Sequence, residues 1–162
     1  MKADDLWVIK WWVDASHPDF KSQTGGVMSM GSGALQTIAR KQRLNSRSST
    51  EAELIAVDDA VTAIMWTRMF MEAQGYDIER NVLYQDNKSA IILEKNGRTS
   101  TSMRTRALNI RYFFMTEQVA KGKVEIEYCS TDDMIGDFMT KPLQGTKFRR
   151  FRDLIMGQPA QE

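Results

Sequence analysis

Between residues 6 and 39 the chain holds three short apolar runs broken by glycine, and from residue 46 onward helical runs alternate with strand-like ones. That order constrains the fold more than any single motif does. Residues 6–13 are aromatic and β-branched and lead straight into Asp14, which reads as a strand. Gly25-Gly26 marks a turn before the run at residues 27–30, and Gly31-Ser32-Gly33 marks another before residues 34–39. Connections this short pair strands antiparallel, so the first third of the chain is expected to be a meander.

The polar stretch at residues 46–50 opens a long helix. Ser48 with Glu51, or Thr50 with Glu53, has the spacing of a capping box. Leu54, Val57, Val61, Ile64, Met65 and Met69 then recur at helical spacing up to a stop near Gly75. A strand at residues 82–85 runs into Asp86-Asn87, followed by a short helix over 88–95 and a further helix over 104–121. Residues 124–128 alternate as a strand. Thr131-Asp132-Asp133 is expected to cap a helical segment reaching Thr140 and stopped by Pro142, and a basic helix follows from about 147 to 155. Parallel pairing needs a crossover, which the helices provide, so the reading is an α/β chain: a mixed sheet with helices on its faces. Nothing in the sequence marks a linker or a repeat. Residues 1–157 are expected to form one domain, and 158–162 a polar tail.

Composition narrows the chemistry. A chain of 162 residues, 42% hydrophobic and 27% charged, can bury a single core. No apolar run approaches the roughly 18–20 residues of a membrane span, so no membrane partner is expected. Residues 1–5 do not resemble a signal peptide, and the one cysteine, Cys129, has no disulfide partner within the chain; both fit an intracellular setting. One cysteine and one histidine, His17, leave too few ligands for zinc. A metal, if used, must be held by oxygen. Charge is segregated behind a net +1: residues 51–86 carry two Lys/Arg against eight Asp/Glu, and residues 87–123 carry eight against two. The basic block, with Arg98, Arg104, Arg106 and Arg111, fits either phosphate contacts or a solvated helix face.

Four carboxylates stand at the ends or starts of successive elements: Asp14, Glu53, Asp86 and Asp137. In a parallel pair, the strands ending at Asp14 and Asp86 lie about 4.8 Å apart, and sites in open α/β sheets gather beyond strand carboxyl ends. Asp14 and Asp86 can then share a cation, with Glu53 arriving from the first turn of the long helix and Asp137 from the last segment. Mg²⁺ takes such hard ligands, and two ions about 3.5–4 Å apart can clamp the attacking and leaving oxygens of a phosphodiester. Each residue also has a plainer use. Asp14 can start a turn, Glu53 can be the capping partner of Thr50, Asp86 can cap the next helix, and Asp137 competes with Asp132 and Asp133, which have a plain capping and dipole role.

Taken together, Val13-Asp14-Ala15-Ser16, Thr24-Gly25-Gly26, Ser48-Ser49-Thr50-Glu51-Ala52-Glu53-Leu54, Asp86-Asn87-Lys88-Ser89-Ala90-Ile91, Ile110-Arg111-Tyr112 and Asp137-Phe138-Met139-Thr140-Lys141-Pro142-Leu143 resemble the ribonuclease H domain of copia-type LTR retrotransposon polyproteins. The likeness spans nearly the whole chain in the family's order. It implies a ribonuclease H-like fold with a five-stranded mixed sheet, three strands antiparallel and then two parallel, and helices on both faces. It also implies Mg²⁺-dependent cleavage of the RNA strand of an RNA–DNA hybrid during reverse transcription. On the resemblance, Asp14, Glu53, Asp86 and Asp137 fall on the family's catalytic and metal-binding carboxylates, with Glu51 the competitor for the glutamate. Two Mg²⁺ ions are implied, with Mn²⁺ able to substitute. The implied partners are the hybrid and the reverse transcriptase domain of the same polyprotein, within a cytoplasmic virus-like particle.

Candidate contacts to the hybrid are Arg47, Ser48 and Asn87, then Asn45 and Arg111, with Arg104, Arg106 and Lys88 as further phosphate ligands. The chain departs from the family in a short stretch after Ser16, in Ala107, Asn109 and Phe113 near the Ile110-Arg111-Tyr112 motif, and in having no histidine over residues 130–136. Rival readings are a non-catalytic hybrid-binding or connector domain, with Trp11-Trp12 and the basic residues 148–152 meeting a neighbour, and a DNA-cutting nuclease of the same fold.

Overall fold

The computed structural model describes residues 7–16, 22–96 and 109–158, with 109–113 by their backbone alone. Its elements are β1 (Val8–Ser16), β2 (Gln23–Ser29), β3 (Gln36–Lys41), α1 (Ser49–Ala73), β4 (Arg80–Gln85), α2 (Lys88–Asn96), α3 (Asn109–Ala120), β5 (Glu125–Tyr128), α4 (Asp137–Thr140) and α5 (Gly145–Met156). The five strands form one sheet in the order β3-β2-β1-β4-β5. β1, β2 and β3 pair antiparallel, as short connections require, while β1–β4 and β4–β5 pair parallel after helical crossovers. This is the mixed sheet expected from the order of elements. α1, with 25 residues, spans about 37 Å and carries the chain from the edge strand back to the start of β4.

The strand period sorts β1 into two faces. Ile9, Trp11, Val13 and Ala15 point into the main core against Ala52, Ala56, Val57, Ala60 and Ile64 of α1, joined by Leu83 and Ile126. Alanines at positions 52, 56 and 60 give α1 a smooth stripe, so the helix lies close on the sheet. On the opposite face Trp12 stacks on Tyr84 at 5.2 Å between ring centres. Trp12 shares a groove there with Val27, Ile135, Leu154 and Ile155, so α5 covers this side and helices do lie on both faces. α5 is anchored where the Ala34 N–H donates to the Ile155 carbonyl at 2.8 Å. Gly33 (φ +86°) meets Gly157 at the same point, and a Cβ on Gly33 would stand 3.2 Å from the Gly157 Cα. Trp11 and Phe151 are fully buried, as core packing of one tryptophan and one phenylalanine requires. No helix among the described residues is long and apolar enough to cross a membrane.

Three local expectations are corrected. β1 does not stop at Asp14 but runs on to Ser16, and Asp14 pairs with Gly25 inside the ladder. Gly25 and Gly26 are strand residues and not a turn; glycine is required there because a Cβ on Gly25 would stand 2.5 Å from Thr140 Cγ2 and 2.9 Å from the Gly136 carbonyl oxygen. Residues 131–133 form a turn, with the Ser130 hydroxyl donating to Asp133 at 2.8 Å, and α4 is the four residues Asp137–Thr140 alone. His17, Arg98, Arg104, Arg106, Ala107 and the short stretch after Ser16 lie outside the described residues.

Candidate metal centre

Asp14 and Asp86 meet because of strand register. Trp12 pairs with Tyr84, and two residues further on the same register sets Asp86 beside Asp14. Asp86 is not the cap of α2. Asn87 takes that role, its Oδ1 accepting from the N–H groups of Ser89 and Ala90 at 3.1 Å each. The Asp86 carboxylate is thereby left to the site, where Thr131 Oγ1 donates to its Oδ2 at 2.9 Å.

α1 resolves the choice between its two glutamates in the same way. Ser48 is the N-cap and accepts from the Glu51 N–H at 3.2 Å, while the Glu51 carboxylate accepts from the Arg47 N–H at 2.5 Å. Glu51 is spent on the cap. Glu53, two positions on, turns toward the sheet and is 6% exposed. Its Oε2 is buried without a hydrogen-bond partner among the described residues. Carboxylate oxygens of Asp14, Glu53 and Asp86 all lie within 4.8 Å of one another.

Asp137 comes from the other direction. A Cβ on Gly136 would stand 3.0 Å from the Asp14 Cβ and 3.1 Å from the Trp12 carbonyl oxygen, so glycine lets α4 lie directly on β1. Asp137 is buried, yet both its oxygens are taken by lysine: Lys141 Nζ at 2.5 Å from Oδ1 and Lys147 Nζ at 2.8 Å from Oδ2. Lys141 Nζ also lies 3.4 Å from Asp14 Oδ1, and the Thr140 hydroxyl donates to Asp14 Oδ2. The structure thus gathers Asp14, Glu53 and Asp86 directly and links Asp137 to them through an ammonium.

Burial, reinforced by the charges of Asp14 and Asp86, pushes the Glu53 carboxyl up to about 9, against a smaller opposing pull from the Ala15 N–H. Burial also raises Asp14, although Thr140 and Lys141 pull it down. Lys141 is held above its ordinary value: burial works against its charge, but the hydrogen bond to Asp137 and the charges of Asp14 and Asp137 outweigh it. Three converging carboxylates, one with an orphaned buried oxygen, form a donor set that fits a hard divalent cation. Cys129 stands apart as a half-buried free thiol, pushed up to about 11 chiefly by burial.

The residues expected to touch a nucleic acid are less uniform. Arg47 and Asn45 are exposed in the segment leading into α1. Ser48 and Asn87 each spend an oxygen on a helix cap, Lys88 lies over the Tyr128 ring at 4.9 Å, and the side chain of Arg111 on α3 is outside the described atoms. Sequence reading missed Thr131, Thr140, Lys141 and Lys147. For Lys141 a signal existed: it stands four residues after Asp137 in a helical segment, the spacing at which Asp and Lys meet.

No protein-family model matches the chain. It is 30% identical over 135 residues, 83% of its length, to the retrovirus-related Pol polyprotein from transposon TNT 1-94 of Nicotiana tabacum. It is 31% identical over 138 residues, 85% of its length, to the Pol polyprotein from transposon RE1 of Arabidopsis thaliana. These matches take in only 10% and 9% of the two polyproteins, so the chain spans about a tenth of the length of its relatives. Among solved structures, LC11-RNase H1 isolated from compost superposes with a TM-score of 0.54 at 11% identity, over 82% of this chain and 91% of that one. The N-terminal RNase H domain of rv2228c from Mycobacterium tuberculosis gives 0.54 at 13% identity, over 82% and 90%. LC11-RNase H1 has also been solved in complex with an RNA/DNA hybrid, with a TM-score of 0.54 at 10% identity over 78% of this chain and 88% of that one.

The fold is therefore that of the ribonucleases H. Within that class the relatives place this chain among the ribonuclease H-like domains of copia-type retrotransposon Pol polyproteins.

Proposed function

We propose that the chain is a metal-dependent endonuclease that hydrolyses the RNA strand of RNA–DNA hybrids during retrotransposon reverse transcription. The observation that carries this reading is the convergence of Asp14, Glu53 and Asp86, with their ligand oxygens within 4.8 Å of one another. Asp14, Glu53 and Asp86 would hold Mg²⁺, or Mn²⁺ in its place, with Asp137 completing a two-ion site. The chemistry supplied by bound divalent ions is activation of the attacking water and charge stabilisation at the departing 3′ oxygen. Asp14 stands where the two halves of the site meet and would be the shared ligand. Thr131 orients the Asp86 carboxylate through its 2.9 Å hydrogen bond.

Hybrid recognition would come from phosphates, groove shape and the RNA 2′-OH. Arg47 and Asn45 would contact the backbone beside α1, with Ser48, Asn87 and Arg111 flanking them. The hybrid bound to LC11-RNase H1, a protein of the same fold, supports this substrate class. The Pol polyprotein relatives support a polyprotein context, in which a reverse transcriptase domain would be the covalent neighbour and a cytoplasmic virus-like particle the setting.

An end-labelled RNA strand, presented as RNA–DNA hybrid, duplex RNA, single-stranded RNA and alongside labelled duplex DNA, tests the reading. Cutting confined to RNA in the hybrid, dependent on Mg²⁺ and reduced at least about 100-fold in Asp86→Asn, is expected. Undiminished cutting by folded Asp86→Asn overturns the assignment, and cutting of duplex DNA would replace it with a DNA nuclease.

A further inference from the structure

The Asp14–Asp137 half of the site is held by the chain's own cations. Lys141 Nζ bridges Asp137 Oδ1 at 2.5 Å and Asp14 Oδ1 at 3.4 Å. The backbone aims it there. Lys141 is the C-cap residue of α4, in extended conformation (φ −125°, ψ 143°), its N–H donating to the Asp137 carbonyl at 2.9 Å. Pro142 favours that extended geometry in the residue before it. Lys147 differs. Its ammonium sits 2.8 Å from Asp137 Oδ2 and 2.8 Å from the Thr131 carbonyl oxygen, which ties α5 to the turn before α4. The Lys141 side chain is 38% exposed, so its ammonium can leave toward solvent without unpacking the core.

A divalent ion between Asp14 and Asp137 and an ammonium between the same two carboxylates repel one another. They also need the same oxygens. Of the other carboxylates only Asp14 shares that ammonium: among the described residues the Glu53 Oε2 has no hydrogen-bond partner, and Asp86 accepts from a neutral hydroxyl.

We propose that Lys141 is a tethered cation that fills the Asp14–Asp137 half of the site, so that the chain takes one divalent ion readily at Asp14, Glu53 and Asp86 and a second only by displacing Lys141. This rests on the metal-centre reading above and adds a positioning residue that sets the order and the affinity of the two ions.

Titration calorimetry with Mn²⁺ tests it, on the wild type, Lys141→Met, Lys141→Gln and Asp86→Asn, each shown to be folded by circular dichroism. The wild type is expected to bind one ion, with a second at least about tenfold weaker. Lys141→Met is expected to bind two, the second site tightening by about tenfold or more. Lys141→Gln, which removes the charge and keeps a polar group, is expected to follow Lys141→Met, and decides the matter if the methionine variant does not fold. Asp86→Asn is expected to lose the first ion. Unchanged stoichiometry and affinity in both Lys141 variants, with Asp86→Asn defective, overturns the role of Lys141 while leaving the metal centre standing. Wild-type binding by Asp86→Asn overturns the metal centre, and the proposal with it.

Discussion

On one side of Asp14, Glu53 is buried with a carboxylate oxygen that has no partner, and Asp86 accepts only a hydroxyl hydrogen bond from Thr131. On the other side Asp137, 1% exposed, has an ammonium on each oxygen. Both halves face the same cost, since an uncompensated buried carboxylate is expensive. The Asp137 half meets it with lysines from α4 and α5. In the Glu53 half burial, with the charges of Asp14 and Asp86, raises the carboxyl to about 9, which favours its neutral form. One half is therefore an ion-pair cluster, whereas the other offers a donor set that fits a divalent cation.

The largest effect that would break this comparison lies in the metal-free chain. Asp137→Asn leaves two ammoniums without their carboxylate. Breaking a fully buried pair costs about 3–5 kcal/mol, and because these lysines are 38% and 31% exposed the expected loss is nearer about 2–3 kcal/mol. Glu53→Gln swaps one neutral group for another at pH 7 and is expected to leave the melting temperature unchanged or raise it. Equal destabilisation by the two substitutions in thermal melts would show that the halves do not differ.

Gly25→Ala comes next. Its Cβ would meet Thr140 Cγ2 at 2.5 Å and the Gly136 carbonyl oxygen at 2.9 Å; Thr140 can rotate away and the backbone cannot. A loss of about 1–2 kcal/mol is expected, the usual scale of overpacking. Because α4 carries Asp137, hybrid cleavage should fall by more than the loss of folded protein explains. Cleavage tracking folded fraction alone would mean that the seat of α4 on β2 does not set the site.

Glu94 of α2 supplies the smallest and most discriminating test. It is 1% exposed, neither carboxylate oxygen has a partner among the described residues, and burial raises it to about 8 from an ordinary 4.5. A raised carboxyl means that the folded state binds its proton more tightly, so this contribution is fully present below about 4.5 and is lost as pH rises through about 8. Glu94→Gln should flatten the fall of stability over that interval by less than the limit of about 1.4 kcal/mol per pH unit for one group. Unlike Glu53 it stands outside the carboxylate cluster, so adding Mg²⁺ should leave the effect of Glu94→Gln intact. Melts across pH with and without Mg²⁺ measure it, and a Glu94 effect abolished by Mg²⁺ would place Glu94 within the site's influence.

Much of this architecture is legible in the chain. Short glycine-broken runs followed by helical crossovers imply three antiparallel strands and then two parallel ones, because connection length alone sets the sense of pairing. The order of Asp14, Glu53, Asp86 and Asp137 is equally plain to read, but their duties are not. Spacing offers two capping boxes to α1 and Asp86 as a cap to α2, and only the folded backbone shows that Ser48 with Glu51, and Asn87, take the capping work and release Glu53 and Asp86.

Other features depend on contacts across more than a hundred residues. Gly25-Gly26 has the composition of a turn but pairs as strand with β1 and β3, and Gly25 needs glycine because α4 lies against it. Local sequence carries no record of that approach, and the same holds for the Thr140–Asp14 contact. The sequence by itself determined the elements, their pairing sense and the supply of carboxylates, since those follow from local periodicity and chain connectivity. Tertiary structure alone decided that Asp14, Glu53 and Asp86 converge and that α4 brings Asp137 and its lysines against Asp14, because that depends on distances between segments the chain keeps far apart.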